Sequence, residues 1–204
     1  MTQPNWSARL VRSIASEVKR YREAQDMSAQ RLADRCAELG QPIPRSVLAN
    51  LESGRREALS VPELLVLAEA LGVPPVALLV PVGHADQVEA LPGVSVSTSD
   101  ALAWLTGDKP LPGAEWPTGG PSLAVALYKS HRRFFTEWTR WREREQQIRQ
   151  GVIEGTDADA EQLRQAAADV ARSIHLMRVT MMEQGIRPPQ DVPAEIAALD
   201  GADL

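Results

Sequence analysis

Two runs of heptad spacing constrain this 204-residue chain most. In the first, Leu127, His131, Phe134, Trp138, Trp141, Glu145, Ile148 and Val152 recur at alternating steps of four and three. In the second, Leu163, Ala167, Val170, Ile174, Met177 and Met181 do the same. This period keeps one face of a helix against another helix and does not fit a strand. Each run predicts a helix about 40 Å long, at ~1.5 Å per residue. Only a short stretch around "EGTD" separates them, so 122–186 is expected to form an antiparallel helical hairpin, closed by Gly185 and "RPP". The aromatic side of the first helix is too wide for one partner helix. That predicts a second copy on the same seam, hence a homodimer.

Within the seam, His131 is the polar group that can fix register. A metal-binding or pH-sensing role for it lacks neighbouring ligands in the sequence, and His84 and His175 have no evident partners. Trp138 and Trp141 fit packing better than the wall of a ligand pocket. "HRRFFTEWTRWRERE" is basic on one face, but its interleaved acids suit a solvated coiled-coil face better than a nucleic-acid surface.

The first 82 residues carry a different pattern. Leu10, Ile14, Val18 and Tyr21 place a helix over about 8–25. Ser28 caps a second helix, with Leu32, Ala33 and Cys36 inward and Gly40 near its end. "GQPIP" breaks the chain. A third helix follows over about 44–53, with Gly54 as a left-handed terminator. Ser60 caps a fourth, in which Pro62 suits the first turn and Leu64, Leu65, Leu67, Ala68 and Leu71 are expected to pack. "VPPVALLVP" adds a short fifth. Between 83 and 121, Gly and Pro recur in "LPG", "KPLPG" and "TGGP". This segment reads as a connector with one short helix over 99–106, on which Trp104 and Leu105 are expected to dock.

The third helix raises the functional question. Leu48 and Leu51 lie on its inner side. Arg45, Ser46, Ala49 and Asn50 lie on the open side, where a merely solvated face usually carries Glu and Lys. The order is helix, capped helix, turn, helix with an open polar face, which is a helix-turn-helix arrangement whose later helix enters the major groove. The groove admits one helix, so small residues must separate the readers, and Ser46 and Ala49 satisfy this. Arg45 can grip a guanine and Asn50 can pair with an adenine. Arg55 and Arg56, just past the helix end, can reach the phosphate backbone.

The formal net charge of −5 speaks against a polyanion partner only as an average. Up to Val82 there are 10 Lys/Arg against 9 Asp/Glu, and beyond it 12 against 18. A near-neutral module still binds DNA when its arginines share a face. The single cysteine, Cys36, excludes an internal disulfide framework and reads as a small buried hydrophobe. No apolar run approaches the roughly 20 residues that span a bilayer, and nothing resembles a signal peptide. A soluble, cytoplasmic protein is expected. No glycine-rich phosphate loop and no supported nucleophile–base set is present, so neither an enzyme nor a cofactor is expected.

The stretches "VKRYREAQDMSAQRLADRC", "IPRSVLANLESGRR" and "SVPELLVLAEALGVPPVALL" resemble the lambda-repressor-like, XRE-type DNA-binding domain. The resemblance lies in Ser-x-x-x-Leu-Ala opening the second helix, Glu-x-Gly closing the third and the Leu/Ala-rich helix ending "ALGV". It implies base reading by Arg45, Ser46, Ala49 and Asn50, and phosphate contacts by Ser53, Arg55 and Arg56. It also implies a structural pair of Arg22 with Glu52. The family's phosphate-binding Gln is Ala29 here, which leaves Ser28 and Gln30 as substitutes. The turn over 37–43 is longer than the family's, which bears on the aim of the third helix. The wider layout is similar to regulators of actinobacteria and their phages. The family's self-cleaving repressors carry a β-rich peptidase domain, and the helical end of this chain has no such strand pattern.

The expectation is thus an all-α protein. Residues 1–82 would read double-stranded DNA, 83–121 would connect, 122–186 would dimerise and 187–204 would form a flexible tail. The seam would comprise Leu127, His131, Phe134, Trp138, Trp141, Ile148, Leu163, Val170, Ile174, Met177 and Met181. Its function would be that of a transcriptional regulator, a dimeric repressor on near-palindromic operators. The alternative is an antitoxin-like or adaptor protein whose helical end binds another protein. No metal site and no membrane partner are expected, and a protein or small-molecule effector stays open.

Overall fold

The computed structural model describes residues 5–117 and 119–200, in two compact units, Met1–Glu115 and Trp116–Leu204. The molecule is mostly helical.

The first unit begins with five helices: α1 Trp6–Ala24, α2 Ala29–Glu38, α3 Arg45–Glu52, α4 Val61–Leu71 and α5 Pro75–Leu79. Their starts follow local chemistry. The Asn5 side chain accepts from the Ala8 N–H, and Ser28 accepts from the Arg31 N–H. Ser60 and Glu63 form a reciprocal capping box at α4. Gly72 ends α4 at φ 67°, a left-handed conformation that glycine adopts without a Cβ penalty. Val18, Leu32, Cys36, Leu48, Leu51, Leu67 and Leu78 form one dry core across these helices. Burial pushes the Cys36 thiol pKa up, as suits a packed, unreactive sulfur. Leu65, expected from its spacing to pack, is instead 50% exposed: it lies on the outer face of α4, where Leu64 and Ala68 already cover the core.

The connector segment holds more than its one expected helix. β1 Gln87–Leu91 and β2 Val94–Ser97 pair as an antiparallel hairpin, and α6 Thr98–Leu105 follows. Pro92 and Gly93 make the turn, with Gly93 at φ 74°. The register shifts between Glu89 and Leu91, a bulge that accommodates this tight turn. The hairpin belongs to the first unit: the Trp6 Nε1–H donates to the Glu89 carbonyl at 3.2 Å, and Arg9 pairs with the Glu89 carboxylate at 2.7 Å. Val80, Val96, Ala101 and Leu111 form a satellite core against which Trp104 packs. Leu105 stays 41% exposed, contrary to its expected docking.

The second unit is built on α7 Gly120–Arg149 and α8 Asp157–Glu183, packed along their length. Among the described residues of α7 the buried positions are His131, Trp138 and Glu145, and on α8 they include Ala160, Ala167, Ile174 and Met181, seven residues apart in each case. Ala167 and Ala171 leave room for the Trp138 ring. Phe134, Trp141, Leu127, Ile148, Leu163, Val170 and Met177 are partly buried. Val152, expected on the seam, is 66% exposed because α7 has already ended.

Residues 187–200 depart from the flexible tail expected there. The α9 helix, Ala194–Asp200, packs on α8, and Ile196 is fully buried beside Trp138. Arg178, itself buried, donates to Asp200 at 2.8 Å and to the Pro189 carbonyl at 2.5 Å. His175, with no partner evident in the sequence, has its Nδ1 3.1 Å from Asp200. This packing removes the reason for a second copy over Trp138, which is 8% exposed within one chain. Residues 201–204 lie outside the described residues.

Burial alone would raise the Asp200 carboxyl pKa, but its hydrogen bonds with Arg178 and His175 outweigh this and hold it below the ordinary carboxylate value. A depressed folded pKa gives stability that is present above the unfolded value and lost as pH falls through the folded one. Acidification below about pH 4 should therefore loosen the second unit. Calorimetric melts of Asp200→Asn are expected to show lower stability than wild type at neutral pH and to converge with it in acid.

Candidate nucleic-acid interface

The α3 helix divides cleanly. Leu48 and Leu51 are fully buried, and Arg45, Ser46, Ala49, Asn50 and Ser53 are exposed. Pro44 precedes the helix without a side-chain cap. The Val47 N–H donates to the Pro44 carbonyl at 2.9 Å, which leaves the Arg45 and Ser46 N–H groups and the positive end of the helix dipole open to an anion such as a phosphate. The preceding turn is anchored by Ile43, 3% exposed, and by Gly40 at φ 84°, after which the Gln41 N–H returns to the Cys36 carbonyl at 3.2 Å. The four-residue stretch Gln41–Pro44 then carries the chain from α2 to α3 with α2 and α3 still in contact.

The end of α3 is equally defined. Gly54 turns the chain at φ 72°, and the Asn50 carbonyl accepts from the Arg55 and Arg56 N–H groups at 3.0 and 3.1 Å. It also accepts from the Ser53 hydroxyl at 3.2 Å, so Ser53 is tied to its own helix. The Arg22 guanidinium grips Glu52 through two bonds of 2.7 and 2.8 Å and donates to the Met27 carbonyl at 2.7 Å. One side chain thereby joins α1, the turn into α2 and the end of α3.

The cations sort by whether they have an internal partner. In the first unit, Arg9, Lys19, Arg20, Arg22, Arg35, Arg56 and Lys109 are paired or hydrogen-bonded within the protein. The side chains of Arg12, Arg31, Arg45 and Arg55 make no hydrogen bond or ion pair among the described residues, and all four are exposed. Arg31 lies in the first turn of α2 and Arg45 opens α3. Arg55 follows α3, and a Cβ at Gly54 would lie 3.9 Å from the Arg12 side chain. The uncommitted positive charge therefore borders α2 and α3.

A family model described as "Helix-turn-helix" matches residues 18–78. This segment is a helix-turn-helix domain. The match runs from within α1 to α5 and covers under a third of the chain. No curated protein and no solved structure matches the chain. The matched segment is thus similar to the DNA-binding domain of XRE-type regulators. Among the described residues, no helix is long and apolar enough to cross a membrane, and no three His, Cys, Asp or Glu side chains group as metal ligands.

Within the helix-turn-helix domain, Ser28 and Gln30 stand at the exposed start of α2. The Ser28 oxygen is occupied by the Arg31 N–H, and the Gln30 amide bonds Asp34 at 2.8 Å. Arg12 and Arg31 escaped sequence reasoning. For Arg31 a signal existed: a cation in the first turn opposes the helix dipole, a cost that local stability does not explain.

Arg55 and Arg56 differ. Arg56 bonds Glu63 at 2.8 and 2.9 Å, and its Nη1 is buried without a partner among the described residues. Burial alone would raise the Glu63 carboxyl pKa, but the Ser60 amide and Arg56 hold it below the ordinary value. Arg55→Ala is expected to weaken binding to all DNA sequences alike and to reduce the salt slope by about 1. Arg56→Ala should first cost stability, about 1–3 kcal/mol, because Glu63 loses a charged partner. Fluorescence anisotropy across a salt series, beside thermal melts, separates the two.

Proposed function

We propose that the chain is a sequence-specific transcriptional repressor that acts as a homodimer on near-palindromic operators. The observation that carries the reading is the open face of α3, with Arg45, Ser46, Ala49 and Asn50, bordered by arginines that have no internal partner. Arg45 reads guanine, Asn50 reads adenine, and Ser46 and Ala49 allow close approach to the base edges. Phosphate contacts come from Arg55, Arg31 and Arg12 and from the N–H groups opening α2 and α3, with Ser28, Gln30 and Ser53 at the same surface. A domain seated in the groove near a promoter blocks other proteins by occupancy alone. Repression therefore needs no further surface.

Dimerisation is proposed because one small domain makes few contacts, and joining two raises the effective concentration of the second. Trp138 does not need a second copy. The side chains that would gain from one are the exposed apolar residues of the long helices, Val125, Tyr128, Leu176 and Met182. In a two-fold dimer the reading helices would sit about 34 Å apart, or a multiple of this, on DNA. Light scattering at micromolar concentration without DNA is expected to give a dimer, and Leu176→Glu with Met182→Glu to give a monomer that binds DNA more weakly. A monomeric wild type contradicts the homodimer and assigns this surface to a different protein, as in an antitoxin-like or adaptor component.

A further inference from the structure

A cleft runs along the flank of α3 on which Asn50 stands, and part of it is apolar. Pro42, Pro44 and Val47 line it together with Asn50 and Arg55. Pro44, Val47 and Asn50 follow one another at steps of three, which places them on one side of the helix. Pro42 and Pro44 are exposed. Val47 is partly buried: it packs against the core and still lines the cleft.

Local stability does not account for Pro44. It stands at the N-cap with φ −57° and ψ 145°. Ser28 (−73°, 155°) and Ser60 (−81°, 156°) have nearly the same backbone and cap α2 and α4 through their side chains. A serine at 44 would therefore fit and would add a capping bond. Proline forgoes that bond and presents a rigid apolar ring instead. Val47 is stiff too, because its β-branch leaves one favoured rotamer in a helix. Rigid apolar groups lose little freedom when they make a contact.

With α3 in the major groove, the groove itself decides what these groups meet. A base-pair edge there offers hydrogen-bond acceptors, donors and one apolar group, the C5 methyl of thymine. Set against an acceptor or an amino group, Pro44 and Val47 would strip water from it and return no hydrogen bond. Set against the methyl, they bury apolar surface on both sides. We propose that Val47 and Pro44 select a thymine in each half-site by contact with its C5 methyl, at or beside the base pair that Asn50 reads. The contact rests on the DNA reading proposed above and adds to it both a preference and a penalty. Thymine gains, and cytosine, with an amino group on its edge and no methyl, is disfavoured.

The experiment replaces thymines of the selected DNA site by deoxyuridine, which pairs identically and lacks only the methyl. Each thymine is replaced in turn, in both half-sites at once, and binding of the full chain is followed by fluorescence anisotropy. One position is expected to weaken binding about fivefold or more, and the others about twofold or less. In Val47→Ala the loss at that position should shrink to about twofold or less. Pro44→Ser should reduce it as well, while the added cap raises the melting temperature. If Val47→Ala has lost its fold in a thermal melt, Pro44→Ser decides alone. A site with no thymine sensitive to its methyl overturns the proposal and leaves base reading by Arg45 and Asn50 intact. Undiminished sensitivity in the folded variants also overturns it and assigns the methyl to another side chain. A random pool that yields no enriched sequence removes the DNA reading and this contact together.

Discussion

Removing either Arg22 or Glu52 is expected to lower the melting temperature of the first unit by more than about 10 °C. The two side chains are only 12% and 11% exposed, so truncating one strands the other away from water. Breaking such a pair costs about 3–5 kcal/mol, and the residual exposure argues for the lower end. The loss reaches beyond one contact, because Arg22 also holds the Met27 carbonyl at the entrance to α2. Glu52→Ala should free α3 from α1 and lower DNA affinity as well, whereas Glu52→Gln keeps a hydrogen-bond acceptor and should do less. The fragment for the melt is 1–115, since Trp6 and Arg9 bond the hairpin and a cut at 82 would strip that support. Unchanged melting curves for both alanine variants would remove this pair from the account.

The second large effect concerns choice of base. Arg45→Ala should lose roughly 1–3 kcal/mol on the preferred site and relax selection at one base position in each half-site. The side chain is exposed and makes no internal bond, so its removal leaves the fold unchanged. This separates it from Arg22, which acts through structure, and from Arg55, which should weaken all sequences equally. Binding measured on a panel of single-base variants distinguishes the three; an unchanged base preference for Arg45→Ala would disqualify it as a reader.

Much of the first unit was legible because its signals are local. Ser28 and Ser60 are caps whose partners lie three residues away, and Gly54 and Gly72 end helices where only φ above zero fits. The hairpin was hidden because its strands have five and four residues, too few for a period, and its Pro-Gly turn resembles a linker. The end of the chain was hidden by Pro188, Pro189 and Pro193, which mask a short helix held mainly by contacts with distant residues of α8. The same distance explains the error over Trp138: its cover includes Ile196, which no spacing within α7 could reveal. At the interface, sequence singled out the open face of α3 but could not show that Arg56 is engaged by Glu63 while Arg12 lies beside Gly54. Those are tertiary facts, and they decide which arginines remain for DNA.

The central claim is that α3 reads a DNA sequence. Selection of bound duplexes from a random pool by the full chain tests it most directly. The account predicts enrichment of a near-palindromic motif, with guanine and adenine contacts in each half and half-sites about 10 base pairs apart or a multiple of this. Recovery of bound DNA without any enriched sequence would contradict it.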